Sequence, residues 1–150
     1  MAATTTIDTR DAGTKPLGRY AVAGARVLMG LMFFVLGLNG FLDFLPKPAA
    51  APPEAAMAFI GALMKTGYLF RLVKGTEVVV GALLLANRFV PLALALIAPI
   101  VVNIVLFHAL LAPSGIILVL VILALELYLA WSFRHAFGPM LAARVTPATR

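Results

Sequence analysis

The stretch FVPLALALIAPIVVNIVLFHALL, residues 89–111, decides how this chain is read. It contains no Asp, Glu, Lys or Arg, and it is as long as the roughly 20 residues a helix needs to cross a hydrocarbon layer about 30 Å thick. Turn residues bound it: Asn87-Arg88 before and Pro113-Ser114-Gly115 after. Pro91 falls in the first helical turn, where a missing N–H costs little. Pro99 is mid-span and is expected to kink the helix.

Working outward, three more stretches of the same character appear, at about Tyr20–Leu42, Tyr68–Ala86 and Gly115–Phe137. Helix is the form expected of all four, because the hydrocarbon offers no water to unpaired backbone groups. The alternating ten-residue segments of a barrel are absent. Composition agrees: hydrophobic residues make up 63% and charged residues 12% of 150 residues, against roughly 45–50% and about 25% in soluble domains. The expected fold is therefore all-α, a single membrane-embedded four-helix bundle. The net charge of +6 does not mark a nucleic-acid binder. The basic residues flank the spans, with Arg10, Lys15 and Arg19 before them and Arg134, Arg144 and Arg150 at the far end. The chain has no cysteine, so it holds no disulfide, thiolate nucleophile or thiolate metal site.

Residues 1–19 are polar and Thr-rich and read as a disordered tail; residues 138–150 read as a second tail. Ala49-Ala50-Ala51 resembles a signal-peptidase site, but the preceding apolar run is longer than the 7–15 residues of a signal core and reads as an uncleaved anchor. Pro46, Pro48, Pro52 and Pro53 end the first span, and Glu54–Thr66 carries Met57, Phe59, Ile60, Leu63 and Met64. That pattern predicts a short helix at the membrane surface; the alternative is an early start to span two. Arg and Lys counts near the spans place both termini on the cytoplasmic side, with Arg88 between spans two and three.

Ionisable residues inside such spans cost at least about 2.5–3.5 kcal/mol each at mid-membrane and are expected to face a protein interior. Arg26, Arg71, Lys74, Glu77 and Glu126 lie within the spans, with Asn39, Asp43, Asn103 and His108 as polar companions toward the outer side. At about 1.5 Å of rise per residue, Asp43, His108 and Arg71 sit within about 5 Å of the outer ends. Lys74 and Asn103 follow at about 9 and 12 Å, Glu77 at about 13 Å, Glu126 at about 16 Å and Arg26 at about 24 Å. Lys74, Glu77 and Gly81 share an arc of about 60°, and Arg26, Gly30, Phe33, Gly37 and Gly40 one of about 80°. The latter is a glycine seam along which a neighbouring helix can approach closely.

Each feature also has a plainer explanation. Glu77 with Lys74 or Arg71 can serve only as a register-fixing ion pair, and Asn103 as interhelical glue. His108 can be a hydrogen-bonded interface residue. Arg71 and Lys74 can snorkel to the headgroups. No metal-ligand spacing, phosphate-binding glycine loop or nucleophile elbow is present, and His108 and His135 lie toward opposite ends, unsuited to a shared haem.

The first span, Arg26-Val-Leu-Met-Gly30-Leu-Met-Phe33 running on through Gly37-Leu-Asn39-Gly40-Phe41, resembles the opening of DoxX-like membrane proteins. So do Glu77-Val-Val-Val-Gly81 in span two and the stretch Pro91 to Pro99, Asn103 and Phe107-His108 in span three. The resemblance covers about residues 20–137. It implies a four-helix bundle in a bacterial inner membrane, in a family that includes redox-associated subunits and assembly factors. It carries over no catalytic residue.

Three functions compete. The first is a redox-associated accessory subunit binding a quinone or similar lipophile, with Asn103, His108 and Lys74 on its head and Phe33, Phe41 and Phe107 on its ring. The second is a non-enzymatic scaffold or assembly factor for a partner membrane protein. The third is a small-solute or proton pathway, which in so small a chain needs a homo-oligomer. The expected surroundings are membrane lipid, with no nucleic acid and no metal. Whether the chain is an enzyme is open at this stage.

Overall fold

The computed structural model describes residues 16–46 and 51–141; the expectations for residues 1–15, 47–50 and 142–150 lie outside it. The described residues are helical with no strand. The helices are α1 (Pro16–Leu42), α2 (Glu54–Lys65), α3 (Leu69–Leu85), α4 (Val90–Leu110), α5 (Ile116–Ser132) and the single turn α6 (Arg134–Phe137). Two 3-10 turns, Pro113–Gly115 and Pro139–Leu141, complete the order.

Local chemistry sets the ends. α1 starts at Pro16, earlier than hydropathy suggests, so Pro16–Arg19 belong to the helix and not to a tail. Proline at the first helical position lacks only an N–H that would be unpaired there, and its φ is preset. At the other end Asp43 takes a left-handed φ of 47°, its amide donates to the Asn39 carbonyl at 2.9 Å, and Leu45 N–H donates to Asn39 Oδ1 at 2.7 Å. Asp is among the few residues that visit this region readily.

α2 and α3 are separate helices, which excludes an early start to the second apolar segment. Thr66 makes the break: its hydroxyl donates to the Leu63 carbonyl at 2.7 Å and accepts from Leu69 N–H at 3.0 Å. Gly67 turns the chain at φ +77°, a conformation glycine adopts without a Cβ clash. Between α3 and α4, Asn87 N–H donates to Leu84 O at 3.2 Å and Arg88 N–H to Leu83 O at 3.0 Å, closing the helix on its own carbonyls. α4 continues through Pro99 as one element.

The last apolar segment is shorter than expected. It was expected to run to Phe137, but α5 ends at Ser132 and α6 follows as a separate turn. The Ser132 hydroxyl donates to Tyr128 O at 2.8 Å, and the Arg134 guanidinium donates to Trp131 O at 3.1 Å. Arg134 thus takes up a carbonyl at the helix end that would otherwise pair with a following turn, while the Ser132 hydroxyl bonds back one turn within α5.

Among the described residues three helical stretches are long and apolar enough to cross a membrane: Gly18–Leu42, Val90–Leu110 and Pro113–Ser132, of 25, 21 and 20 residues. α3 is not among them. It has 17 residues and includes Arg71, Lys74 and Glu77, so the second expected span is shorter and more charged than its three companions.

α1 packs most extensively on α3, α3 also on α4, α4 on α5, and α5 back on α1, so the order closes on itself. Gly30 lies beside Leu84, Gly37 beside Val78 and Gly40 beside Lys74. Numbers rising on α1 meet numbers falling on α3, so the two are antiparallel. The glycine seam of α1 is therefore filled from within the chain. A Cβ added at Gly37 would lie 2.9 Å from the Val78 backbone N, and one at Gly81 would lie 2.5 Å from Phe34 N. The core behind this seam holds Met29, Phe33, Val80, Leu84, Leu94, Ile97 and Leu129, none more than 2% exposed. Leu31, Val102, Ile117, Leu120 and Leu127 face outward, the apolar surface expected where lipid is the solvent.

Candidate functional site

At the end of the molecule that carries α2 lies a cavity of about 910 Å³. α1, α3, α4 and α5 form its walls, and α2 lies across it with Met57, Ile60, Leu63 and Met64. Six of the nine polar residues singled out in the sequence line it: Asn39, Asp43, Lys74, Glu77, Asn103 and His108. All but Glu77, which is midway along α3, come from the part of the chain's helices nearer α2, where the counted depths also gather them.

Lys74 and Glu77, one turn apart on α3, form an ion pair, with Nζ donating to Oε2 at 2.8 Å and to Oε1 at 3.1 Å. Glu77 is 3% exposed and Lys74 22%. The carboxylate is thus inside the protein, while the ammonium reaches toward the cavity. Gly40 makes room for it, because a Cβ there would come within 2.6 Å of the Lys74 Cδ.

His108 is held on α4 by its own helix: Nδ1 is 2.9 Å from the Ile104 carbonyl. A carbonyl oxygen only accepts, so Nδ1 carries the hydrogen, and Nε2 is the nitrogen that can accept when the ring is neutral. The ring edge lies against Gly115, where a Cβ would collide with Cδ2 and Nε2. Phe107 meets the His108 ring edge-on at 5.1 Å and Phe59 of α2 at 5.6 Å, tying α2 to α4. Asn103 makes no hydrogen bond among the described residues, so it does not act as glue between these helices. Its amide stands on the wall with one donor group and one acceptor group open. Asn39 has a structural duty as well, since its Oδ1 accepts from Leu45 N–H.

Three of the expected residues are elsewhere. Arg26 is at the opposite end, donating through Nη1 to the Leu84 carbonyl and, at 3.3 Å, to the Leu85 carbonyl. The antiparallel pairing of α1 with α3 sets this: Arg26 meets the C-terminal end of α3, whereas the cavity uses its N-terminal half. Arg71 is exposed and outside the lining, because the face of α3 turned to the cavity carries Phe70, Val73, Lys74 and Glu77 and leaves Arg71 to one side. Glu126 is 6% exposed and lies one turn beyond Ile122, which does line the cavity. Its Oε2 has no hydrogen-bond partner. Phe33 and Phe107 line the cavity, but Phe41 is 49% exposed and does not.

Sequence reading missed the part played by α2. Its composition points to a short helix at the membrane surface and says nothing of a cavity, whereas Ile60 and Leu63 are half-buried over one. Gly115 was read only as a turn residue, and it is also the seat of the His108 ring. Among the described residues no three His, Asp or Glu side chains are grouped so as to hold a metal ion.

No family model, curated protein or solved structure matches the chain.

Proposed function

We propose that this chain is an integral membrane protein in which α1, α3, α4 and α5 form a four-helix membrane bundle, with α2 at the interface. Its cavity takes a lipophilic molecule with a polar head. A quinone is the ligand class to which the DoxX-like resemblance points, and the role is that of a redox-associated accessory subunit. The observation that carries this reading is the mixed lining of the cavity: apolar walls interrupted by Asn39, Asp43, Lys74, Glu77, Asn103 and His108. Its volume of about 910 Å³ lies within the roughly 300–1,000 Å³ typical of small-molecule pockets.

The lining has what both oxidation states of such a head require. A quinone carbonyl needs a donor, which Lys74 Nζ and the Asn103 amide supply. A quinol hydroxyl needs an acceptor, which His108 Nε2 and the Asn103 carbonyl supply. Phe33, Phe107, Ile104 and Ile122 offer apolar surface to the ring and the start of its tail.

α3 belongs among the spans on this reading despite its charges. The 17 residues of α3 rise about 25 Å, and from Gly30 beside Leu84 to Gly40 beside Lys74 it runs against α1 over about 15 Å. A bilayer accommodates a short helix by modest thinning and by snorkelling of flanking cations, and Arg71 is in position to do so. The charge count puts the cavity toward the outer leaflet and both termini in the cytoplasm.

The scaffold alternative loses one support, because the glycine seam is occupied by α3. A solute pathway would have to cross the buried layer of Met29, Gly30, Val80 and Gly81 that separates Arg26 from the cavity. Calorimetric titration of the detergent-purified protein with a short-chain quinone analogue tests the reading. Saturable binding that weakens in His108→Ala, Asn103→Leu and Glu77→Gln is expected. Absence of binding, or binding indifferent to all three substitutions, would overturn it.

A further inference from the structure

At the end of the molecule away from α2, a second cavity of about 320 Å³ opens between α1, the α3–α4 turn and the end of α5. Arg19 and Arg26 line it from α1, Asn87 from the turn, and Ser132 and Phe133 from α5. Among the described residues no Asp or Glu contributes to the lining. Among the described residues neither arginine is paired with a carboxylate, and the acidic side chains Asp43, Glu54 and Glu77 lie toward the other end. Glu126 lies nearly two turns before Ser132 and is outside the lining.

The two guanidiniums are placed to act together. Arg19 and Arg26 are seven residues apart, which puts them on one face of α1 with about 10 Å of rise between their Cα atoms. Arg26 is held by Nη1 on the carbonyls of Leu84 and Leu85. Those carbonyls close a helix whose C-terminal end carries about half a negative charge, so a net positive charge remains and points in a fixed direction. Nη2 and Nε of Arg26 stay available as donors, as does the whole Arg19 fork. The Asn87 amide adds a neutral donor, whereas the Ser132 hydroxyl hydrogen is already given to Tyr128 O.

Two planar cationic forks and an amide around a small open cavity recognise a tetrahedral oxyanion better than a single carboxylate. The surroundings favour one source. Trp131, Phe89 and Tyr20 are all at least 68% exposed at this end, and aromatic residues of this kind mark the headgroup level of a bilayer. Val27 and Leu31 on α1 and Leu127 on α5 continue away from the cavity as exposed apolar surface, a path along which acyl chains can lie. We propose that this cavity is a phosphate site, occupied by the headgroup phosphate of an anionic lipid, with free phosphate as the other source of the same chemistry. Basic pockets between helices at the cytoplasmic face bind such headgroups. The proposal is independent of what occupies the larger cavity.

The test is native mass spectrometry of the full chain released from detergent, with phosphatidylglycerol added stepwise and phosphatidylcholine as the neutral comparison. One phosphatidylglycerol retained in preference to phosphatidylcholine is expected. Arg19→Gln should weaken retention about tenfold, the order set by losing one charge-assisted hydrogen bond. Asn87→Gly, which keeps the left-handed turn, should weaken it less. Arg88→Gln and Arg134→Gln remove charge at the same end but outside the lining, and should change retention by less than about twofold. Arg26→Gln should resemble Arg19→Gln, and because Arg26 also ties α1 to α3, the exposed Arg19 is the deciding variant. An excess of inorganic phosphate separates the sources: failure to displace the lipid identifies the headgroup in its lipid setting, and displacement identifies a free-phosphate site. Equal weakening by all four arginine substitutions, or no preference over phosphatidylcholine, would overturn the proposal.

Discussion

Replacing Gly81 by alanine should destabilise the protein, whereas the same replacement at Gly75, six residues earlier on α3, should not. A Cβ at Gly81 would lie 2.5 Å from Phe34 N, 2.7 Å from Phe34 Cα and 2.8 Å from Gly30 O, all backbone atoms of α1. Backbone cannot rotate aside as a side chain can. Ordinary contact begins at 3.4 Å, so the two helices must part by about 0.9 Å at their closest point. Their interface is the most extensive in the molecule, and overpacking of this kind costs about 1–3 kcal/mol. At Gly75 nothing lies within 4 Å of the added atom, and alanine in a helix interior is favoured over glycine by roughly 0.5–1 kcal/mol. The two variants should therefore differ by about 1.5–4 kcal/mol. Equilibrium unfolding in mixed detergent micelles, followed by far-ultraviolet circular dichroism, measures the difference. A Gly81→Ala protein as stable as Gly75→Ala would refute the close α1–α3 approach on which the positions of both cavities depend.

Four other outcomes are open to measurement. Lys74→Met alone leaves the buried Glu77 carboxylate without its partner and should cost about 3–5 kcal/mol, whereas Lys74→Met with Glu77→Leu should recover most of that loss; unfolding of the single and double variants reads it. Glu126→Leu removes a buried oxygen that has no partner and should stabilise the protein by about 1–3 kcal/mol, visible as a higher detergent melting temperature; a loss of stability would show that Glu126 is paired in the membrane. Gly115→Ala pushes the His108 ring from its seat and should lower quinone-analogue affinity measured by calorimetry, while Gly24→Ala, with nothing within 4 Å, should leave it unchanged. Substituting Phe59 by leucine removes its ring contact with Phe107, worth about 0.5–1.5 kcal/mol, and should raise amide hydrogen exchange in α2 more than in α5.

Much of this fold is legible in the sequence because its strongest signals are local. Apolar runs end where proline, glycine and asparagine end them, and Thr66-Gly67, Asn87-Arg88 and Pro113-Ser114-Gly115 break the helices as composition suggests. The spacing of Gly30, Gly37 and Gly40 identifies the face of α1 that another helix approaches. Counting from helix ends brings Asn39, Asp43, Lys74, Glu77, Asn103 and His108 into the half of the molecule that holds the larger cavity, because depth is nearly a function of residue number. Rotation and partnership are not. Glu126 has a depth close to that of Glu77, but α5 turns it past the cavity floor. Arg26 is grouped too readily with the rest, although its own depth sets it apart; its partner is a pair of carbonyls, which no side-chain pattern announces. The end of α5 is hidden for a related reason: hydropathy continues through Phe133, and only the hydrogen bonds of Ser132 and Arg134 show where the helix stops. α2 was legible as a helix, but its place over the cavity depends on the tertiary contact of Phe59 with Phe107.

The bond between Arg26 and the Leu84 carbonyl spans 58 residues of sequence, and that separation has a meaning in time. At synthesis rates of about 5–20 residues per second, roughly 3–12 s pass between the translation of Arg26 and that of Leu84. During that interval the nascent α1 holds a guanidinium for which the chain has not yet made an acceptor. On the membrane reading proposed above, the first helix waits with its charge in water, at the headgroups or inside the insertion machinery until α3 is made. The contact that fixes Arg26 against α3 is therefore among the later ones the chain can form.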